Sequence, residues 1–126
     1  MTDVELDRSL LAELVEMDPV EGLELVRDLV AIFFREAPAR LDLMRCGVSL
    51  GDRDRVVRGA HAMKGAASGL GAIGLAEACG RIECLARSGS LTGLSAEVDQ
   101  VEAELPGLAW QLDGYLNQLA RQPLAD

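Results

Sequence analysis

Val56 to Gly71 reads VVRGAHAMKGAASGLG and holds the only histidine and the only lysine of the 126 residues, His61 and Lys64. Val56, Ala60, Met63, Ala67 and Leu70 recur at alternating steps of four and three, the spacing of a helix that buries one stripe. At roughly 100° per residue, His61 falls about 140° from the centre of that stripe, on an outer face shared with Asp54, Arg58, Gly65 and Ser68. A lone histidine is more often held in a core by a hydrogen bond, but here the phase of the stripe turns the ring to solvent.

Lys64 lies three residues after His61, a separation that puts two side chains on neighbouring parts of a helix surface. Gly65 follows one turn after the histidine. An interior helical glycine costs about 1 kcal/mol relative to alanine, so stability does not account for it. The absent side chain instead leaves the imidazole open to close approach by another macromolecule. The surface within about one turn of His61 comprises Val57, Arg58, Lys64 and Gly65, with Ser68 a second turn along the same face, and these are the candidate partner-binding residues.

The same period extends in both directions. Leu10, Leu11, Leu14 and Val15 predict a short amphipathic helix over about 7–16. Asp18-Pro19 reads as an N-cap followed by a first-turn proline. The stripe Leu23, Val26, Val30, Phe33, Ala37, Leu41, Met44 and Val48 then predicts a helix over about 19–49, bent or divided at Pro38. Gly51 ends it and Asp52 caps the helix that bears His61, which is expected to stop near Gly69 to Gly71. A further helix is predicted over Leu75 to Arg87, with Leu75, Cys79, Ile82 and Ala86 inward and Glu77, Arg81 and Arg87 outward. After Ser88 to Gly93, Val98, Val101, Leu105, Leu108, Leu112, Tyr115 and Leu119 define a last long helix that contains Pro106.

No segment alternates with a period of two, and no internal repeat divides the chain. The expected fold is all-α: an antiparallel up-down-up-down four-helix bundle with a short N-terminal capping helix, one domain over residues 1–126. Phe33, Phe34 and Trp110 are expected in the core. The three cysteines, Cys46, Cys79 and Cys84, form no CxxC pair, so they are read as buried, reduced thiols. With one histidine, a zinc site is not expected. A net charge of −9 and a pI near 4.5 argue against nucleic acid and anionic membrane, both of which need a basic face. The acidic N-terminus has no long apolar run, so neither a signal peptide nor a membrane span is expected, and the chain is read as cytoplasmic and monomeric.

The string HAMKGAASGLGA, His61 to Ala72, resembles the phosphoacceptor motif of histidine-containing phosphotransfer (HPt) domains, His-x-x-Lys-Gly followed by small residues. The runs FFREAP (33–38) and LAEACGRIECLARSG (75–89) resemble the same family, so that the likeness spans most of residues 20–90. Gly69 stands where many members carry Asn. The resemblance implies that His61 accepts a phosphoryl group from an aspartate of a receiver domain and passes it to another receiver, with Lys64 stabilising the phosphate. It implies receivers and a hybrid histidine kinase as partners, no cofactor on this chain, and Mg²⁺ on the receiver. Elementary chemistry agrees: a free imidazole has a pKa near 6.5, so much of it is neutral and nucleophilic near pH 7. Phosphoryl transfer needs mainly positioning and charge neutralisation, and the chain has no P-loop. Such a protein is a stoichiometric carrier, not an enzyme. The alternative is a bundle used only for docking or oligomerisation, which explains the stripes equally well but gives no reason for an exposed His-x-x-Lys-Gly face.

Overall fold

The computed structural model describes residues 5–121, which form five helices and no strands. They are α1 (Ser9–Met17), α2 (Pro19–Leu50), α3 (Arg53–Gly69), α4 (Ile73–Arg87) and α5 (Leu94–Arg121). Helices α2 to α5 each pack on the next, α5 returns to α2, and α1 lies on α2. This is the expected all-α bundle with its short N-terminal helix.

The boundaries follow from local chemistry. Asp18 accepts a hydrogen bond from the Glu21 amide ahead of Pro19, and Asp52 accepts one from the Arg55 amide. Each satisfies an amide that has no partner within its helix. Gly51 closes α2 in the left-handed region, φ +68°. Both long helices run unbroken through their prolines, Pro38 in α2 and Pro106 in α5; each proline is exposed, so its ring meets no neighbouring helix. Helix α4 begins at Ile73, two residues earlier than the spacing predicts.

The predicted stripe of α3 is buried throughout: Val56, Ala60, Met63 and Ala67 have no exposed surface and Leu70 has 3 %. It meets Leu41 and Met44 of α2, Leu75, Cys79 and Ile82 of α4, and Val98, Val101, Leu108 and Leu112 of α5 in one core. Gly59 is also buried. A Cβ there would lie 2.9 Å from the Arg40 carbonyl oxygen and 2.9 Å from Met44 Cγ, so this glycine sets the close approach of α2 and α3 that fixes the pitch of the His61 face.

Three expectations based on residue type need correction. Trp110 is 64 % exposed, not core, because it lies about 200° from the α5 stripe residue Leu108. Cys46 and Cys84 are exposed and only Cys79 is buried; burial pushes the Cys79 thiol up to about 12, which makes it an inert packing residue. Leu10 is 44 % exposed, whereas its neighbours Leu11 and Val15 enter the core. The segment before α1 is tied to the α3–α4 turn and to α5. The Asp7 amide donates to the Gly71 carbonyl at 2.7 Å, the Gly74 amide to the Glu5 carbonyl at 3.3 Å, and the Tyr115 hydroxyl to the Arg8 carbonyl. No helix among the described residues is long and apolar enough to cross a membrane.

Candidate phosphoacceptor site

His61 stands in the middle of α3, and its side chain is 69 % exposed. The ring is held from beneath. Its Nδ1 lies 3.1 Å from Oε2 of Glu83, a residue of α4 whose side chain is only 9 % exposed. The same carboxylate accepts from the Arg87 guanidinium at 2.8 Å and 3.3 Å, and Lys64 Nζ lies 3.8 Å from its other oxygen. One nearly buried carboxylate thus joins three basic side chains from two helices.

Glu83 stays ionised in this setting. The Arg87 hydrogen bonds, then the hydrogen bond and charge of His61, hold its carboxyl below the usual carboxylate range although burial opposes them. An ionised carboxylate has no proton to give. The hydrogen bond therefore runs from Nδ1–H to Glu83, and in the neutral ring the lone pair is on Nε2, at the solvent side. A buried acid between Ile82 and Ala86 is not among the residues that the sequence marks as functional. Its signal is the register: Glu83 sits next to an inward position on a helix that packs against α3.

A depressed carboxyl also links this cluster to stability. A carboxyl with a lowered folded-state value contributes stability above its unfolded range, and that contribution is lost as pH falls through the folded value. Glu83→Gln is expected to flatten the loss of melting temperature on acidification. The gap between parent and variant is full above the usual carboxylate range and narrows as the pH falls through and below it. Parallel curves for the two proteins would contradict the assignment.

The other residues read from the sequence take different places. Arg58, Gly65 and Ser68 are exposed or half-exposed on the face that bears His61. A Cβ on Gly65 would meet nothing within 4 Å, so the protein's own packing does not require glycine there. Val57 is half-buried against the core, an edge position and not an open apolar patch. The stem of Lys64 passes over Gly80, where Cδ and Cε lie 3.8 Å from the position of a Cβ. Residues 52–89 carry six of the twelve basic residues but only four of the twenty-one acidic ones, so the half of the bundle around His61 is the less acidic half.

The sequence profile of the Hpt domain family matches residues 28–122, three quarters of the chain, and the chain belongs to this family of histidine-containing phosphotransfer domains. Its class of function is phosphotransfer within a phosphorelay. Among solved structures it is similar to histidine-containing phosphotransfer protein B (HptB) from Pseudomonas aeruginosa PAO1, with 28 % identity and a TM-score of 0.74 over 90 % of this chain and 96 % of that one. No curated protein sequence gives a significant match.

Proposed function

We propose that this chain is a phosphocarrier whose acceptor atom is His61 Nε2. The observation that carries the reading is the exposed ring anchored through Nδ1 to a nearly buried carboxylate, beside Lys64. The Nε2 lone pair attacks the phosphorus of an aspartyl phosphate on a receiver domain. The N–P bond forms, the P–O bond to the aspartyl carboxylate breaks, and that carboxylate leaves with the electron pair. The Nδ1 proton stays on the ring throughout, donated in a hydrogen bond to the Glu83 carboxylate. Transfer to a second receiver is the same step reversed on a new aspartate, so the protein is a carrier that is regenerated and has no ATP site of its own. The Mg²⁺ that neutralises the aspartate site is supplied by the receiver.

Lys64 is within reach of the phosphoryl oxygens as a charge-assisted donor. Lys64→Ala is expected to slow transfer and to shorten the lifetime of the phosphohistidine, each by about tenfold when one charge-assisted hydrogen bond is removed. Both rates are read from the same labelled protein by quenching in time; unchanged decay would remove the lysine from the site.

Gly65→Leu separates access from stability. Leucine is a better helix former than glycine by somewhat under 1 kcal/mol, and the space around a Cβ at this position is open. The fold is expected to hold or gain while transfer falls. Transfer at the parent rate would show that steric access is not the reason for glycine. The test of the whole reading is incubation with receiver domains of the same organism, phosphorylated with acetyl phosphate, followed by detection of acid-labile, base-stable phosphate on this chain.

A further inference from the structure

Helix α2 carries a second apolar stripe, about 100° round the helix from the core residues Val26, Phe33 and Met44. It runs from Leu25 to Leu50 at alternating steps of four and three, the period of a helix that pairs lengthwise with another helix. Leu25 is 46 % exposed, Ile32 39 % and Leu50 67 %. Ala39 and Cys46 are exposed, and Leu29 and Leu43 are half-buried. Glu36 is the one charged member, and Arg40 neutralises it at 2.6 Å. Beside the stripe the facing edge of α3 is nearly bare. Gly59, where the two helices touch, is followed on that edge by Ala62, Ala66 and Gly69, and a Cβ on Gly69 would meet nothing within 4 Å. His61 leans the other way, toward Glu83 of α4. On its outer flank the stripe carries Asp28, Arg35 and Asp42, each seven residues from the next; all three are exposed and make no ion pair among the described residues.

We propose that this stripe is the interface of a homodimer, in which α2 of one copy lies antiparallel on α2 of a second copy, in the groove beside α3. The dimer stands in place of the monomer expected from the sequence. Glu36 needs a small side chain opposite it, and Ala39 is the smallest in the stripe. Setting Glu36 against Ala39 of the second copy fixes the register: Ile32 then faces Leu43, Leu29 faces Cys46 and Leu25 faces Leu50. Every position is used, and each pair occurs twice, as two-fold symmetry requires. The same register brings Arg35 of each copy beside Asp42 of the other, at the flanking positions that pair in an antiparallel coiled coil. A slip of one heptad sets Glu36 against Cys46 or Ile32, and Arg35 against Ser49 or the second Arg35. A parallel pairing brings the two Glu36 carboxylates together. Charge and shape thus select a second copy in one orientation. The net charge of −9 opposes association, but α2 itself is nearly neutral, with four arginines against five acidic residues. Both His61 rings stay outside the interface, so the proposal is independent of the phosphocarrier reading.

Sedimentation equilibrium of the full chain over a wide range of concentration tests this, with circular dichroism confirming that each variant is folded. The parent is expected to show a monomer–dimer equilibrium with a dissociation constant on the order of 10 μM. Arg35→Asp and Asp42→Arg are each expected to weaken the dimer about tenfold, because two reciprocal pairs turn from attractive to repulsive. Asp42→Arg makes the chain less acidic, so a weaker dimer there does not come from net charge. Mixing the two single variants, or combining them in one chain, restores both pairs and is expected to return the constant to the parent value. Ile32→Asp buries a charge at two symmetric contacts and is expected to weaken the dimer about a hundredfold. Trp110→Ser, on the exposed face of α5, is expected to leave it unchanged. Register is read with a short bifunctional thiol reagent, with Cys84→Ser present throughout. Leu29→Cys chains are expected to be joined through Cys46 of the second copy. Chains without that substitution are expected to stay unjoined, because their Cys46 thiols lie 17 residues apart in this register, about 25 Å. A chain that stays monomeric throughout leaves the stripe to some other partner and overturns the proposal. Single swaps at the parent value, or single swaps that mixing does not rescue, overturn it as well. Joining through Cys46 alone would mean a parallel pairing, and loss of the dimer in Trp110→Ser would move the interface to α5; either result overturns it.

Discussion

His61→Gln is expected to abolish phosphate acceptance and leave the helical fold in place. Both halves follow from the position of the ring. With its side chain 69 % exposed, His61 adds little apolar area to the core, and the residues that hold α3 against its neighbours are Val56, Ala60, Met63, Ala67 and Leu70 on the far face. The substitution removes the hydrogen bond to Glu83, worth about 1 kcal/mol. The Glu83 carboxylate is not stranded by the change, since Arg87 and Lys64 remain beside it. Chemically the loss is complete: glutamine offers no nucleophilic nitrogen, and the sequence holds no second histidine. Acid-labile phosphate after incubation with a phosphorylated receiver measures the first half, and a thermal melt by circular dichroism the second. Phosphate uptake that survives the substitution would place the acceptor elsewhere, and a collapse of the fold would mean that the ring is structural.

What is legible in the sequence divides along a physical line. The α3 stripe, the outward ring, the caps at Asp18 and Asp52 and the glycine at 51 are all local: each is settled by the period of one helix or by the few residues around one terminus. Residue type misplaces Trp110, Cys46 and Cys84, whereas the helical period corrects at least two of them. Trp110 lies about 200° from Leu108, and Cys46 about 200° from Met44, so phase alone places both outside. Phase is the better guide because a side chain's burial is decided by the face it occupies before its own hydrophobicity counts. Glu83 belongs to another category. Its register beside Ile82 is local, but the identity of what it touches depends on which helix lies across from it and on how closely the two approach. Gly80, beneath the Lys64 stem, and Gly59, against α2, help to set that packing, and neither announces its partner in the sequence. The acceptor is thus legible from one helix, whereas the group that fixes its tautomer requires the packing of two.

The same chemical change at two glycines is expected to move stability in opposite directions. At Gly65 the backbone is helical and a Cβ meets nothing within 4 Å, so Gly65→Ala is expected to stabilise by about 1 kcal/mol, the difference in helix propensity. At Gly71 two independent obstacles coincide. Its φ is +78°, a conformation that costs a residue with a Cβ roughly 1–2 kcal/mol, and the added carbon would fall inside the Asp7 carbonyl. Relief requires the segment before α1 to move away. Such a movement breaks the Asp7 amide to Gly71 carbonyl bond and the Gly74 amide to Glu5 carbonyl bond, each worth about 1 kcal/mol. Gly71→Ala is therefore expected to destabilise by about 3 kcal/mol, a fall in melting temperature of roughly 10 °C for a domain of this size. Hydrogen exchange locates the damage: the amides of Asp7 and Gly74 lose protection, while those of the α3 interior keep it. A parent-like melting temperature for Gly71→Ala would mean that the N-terminal segment is not docked on the α3–α4 turn in solution.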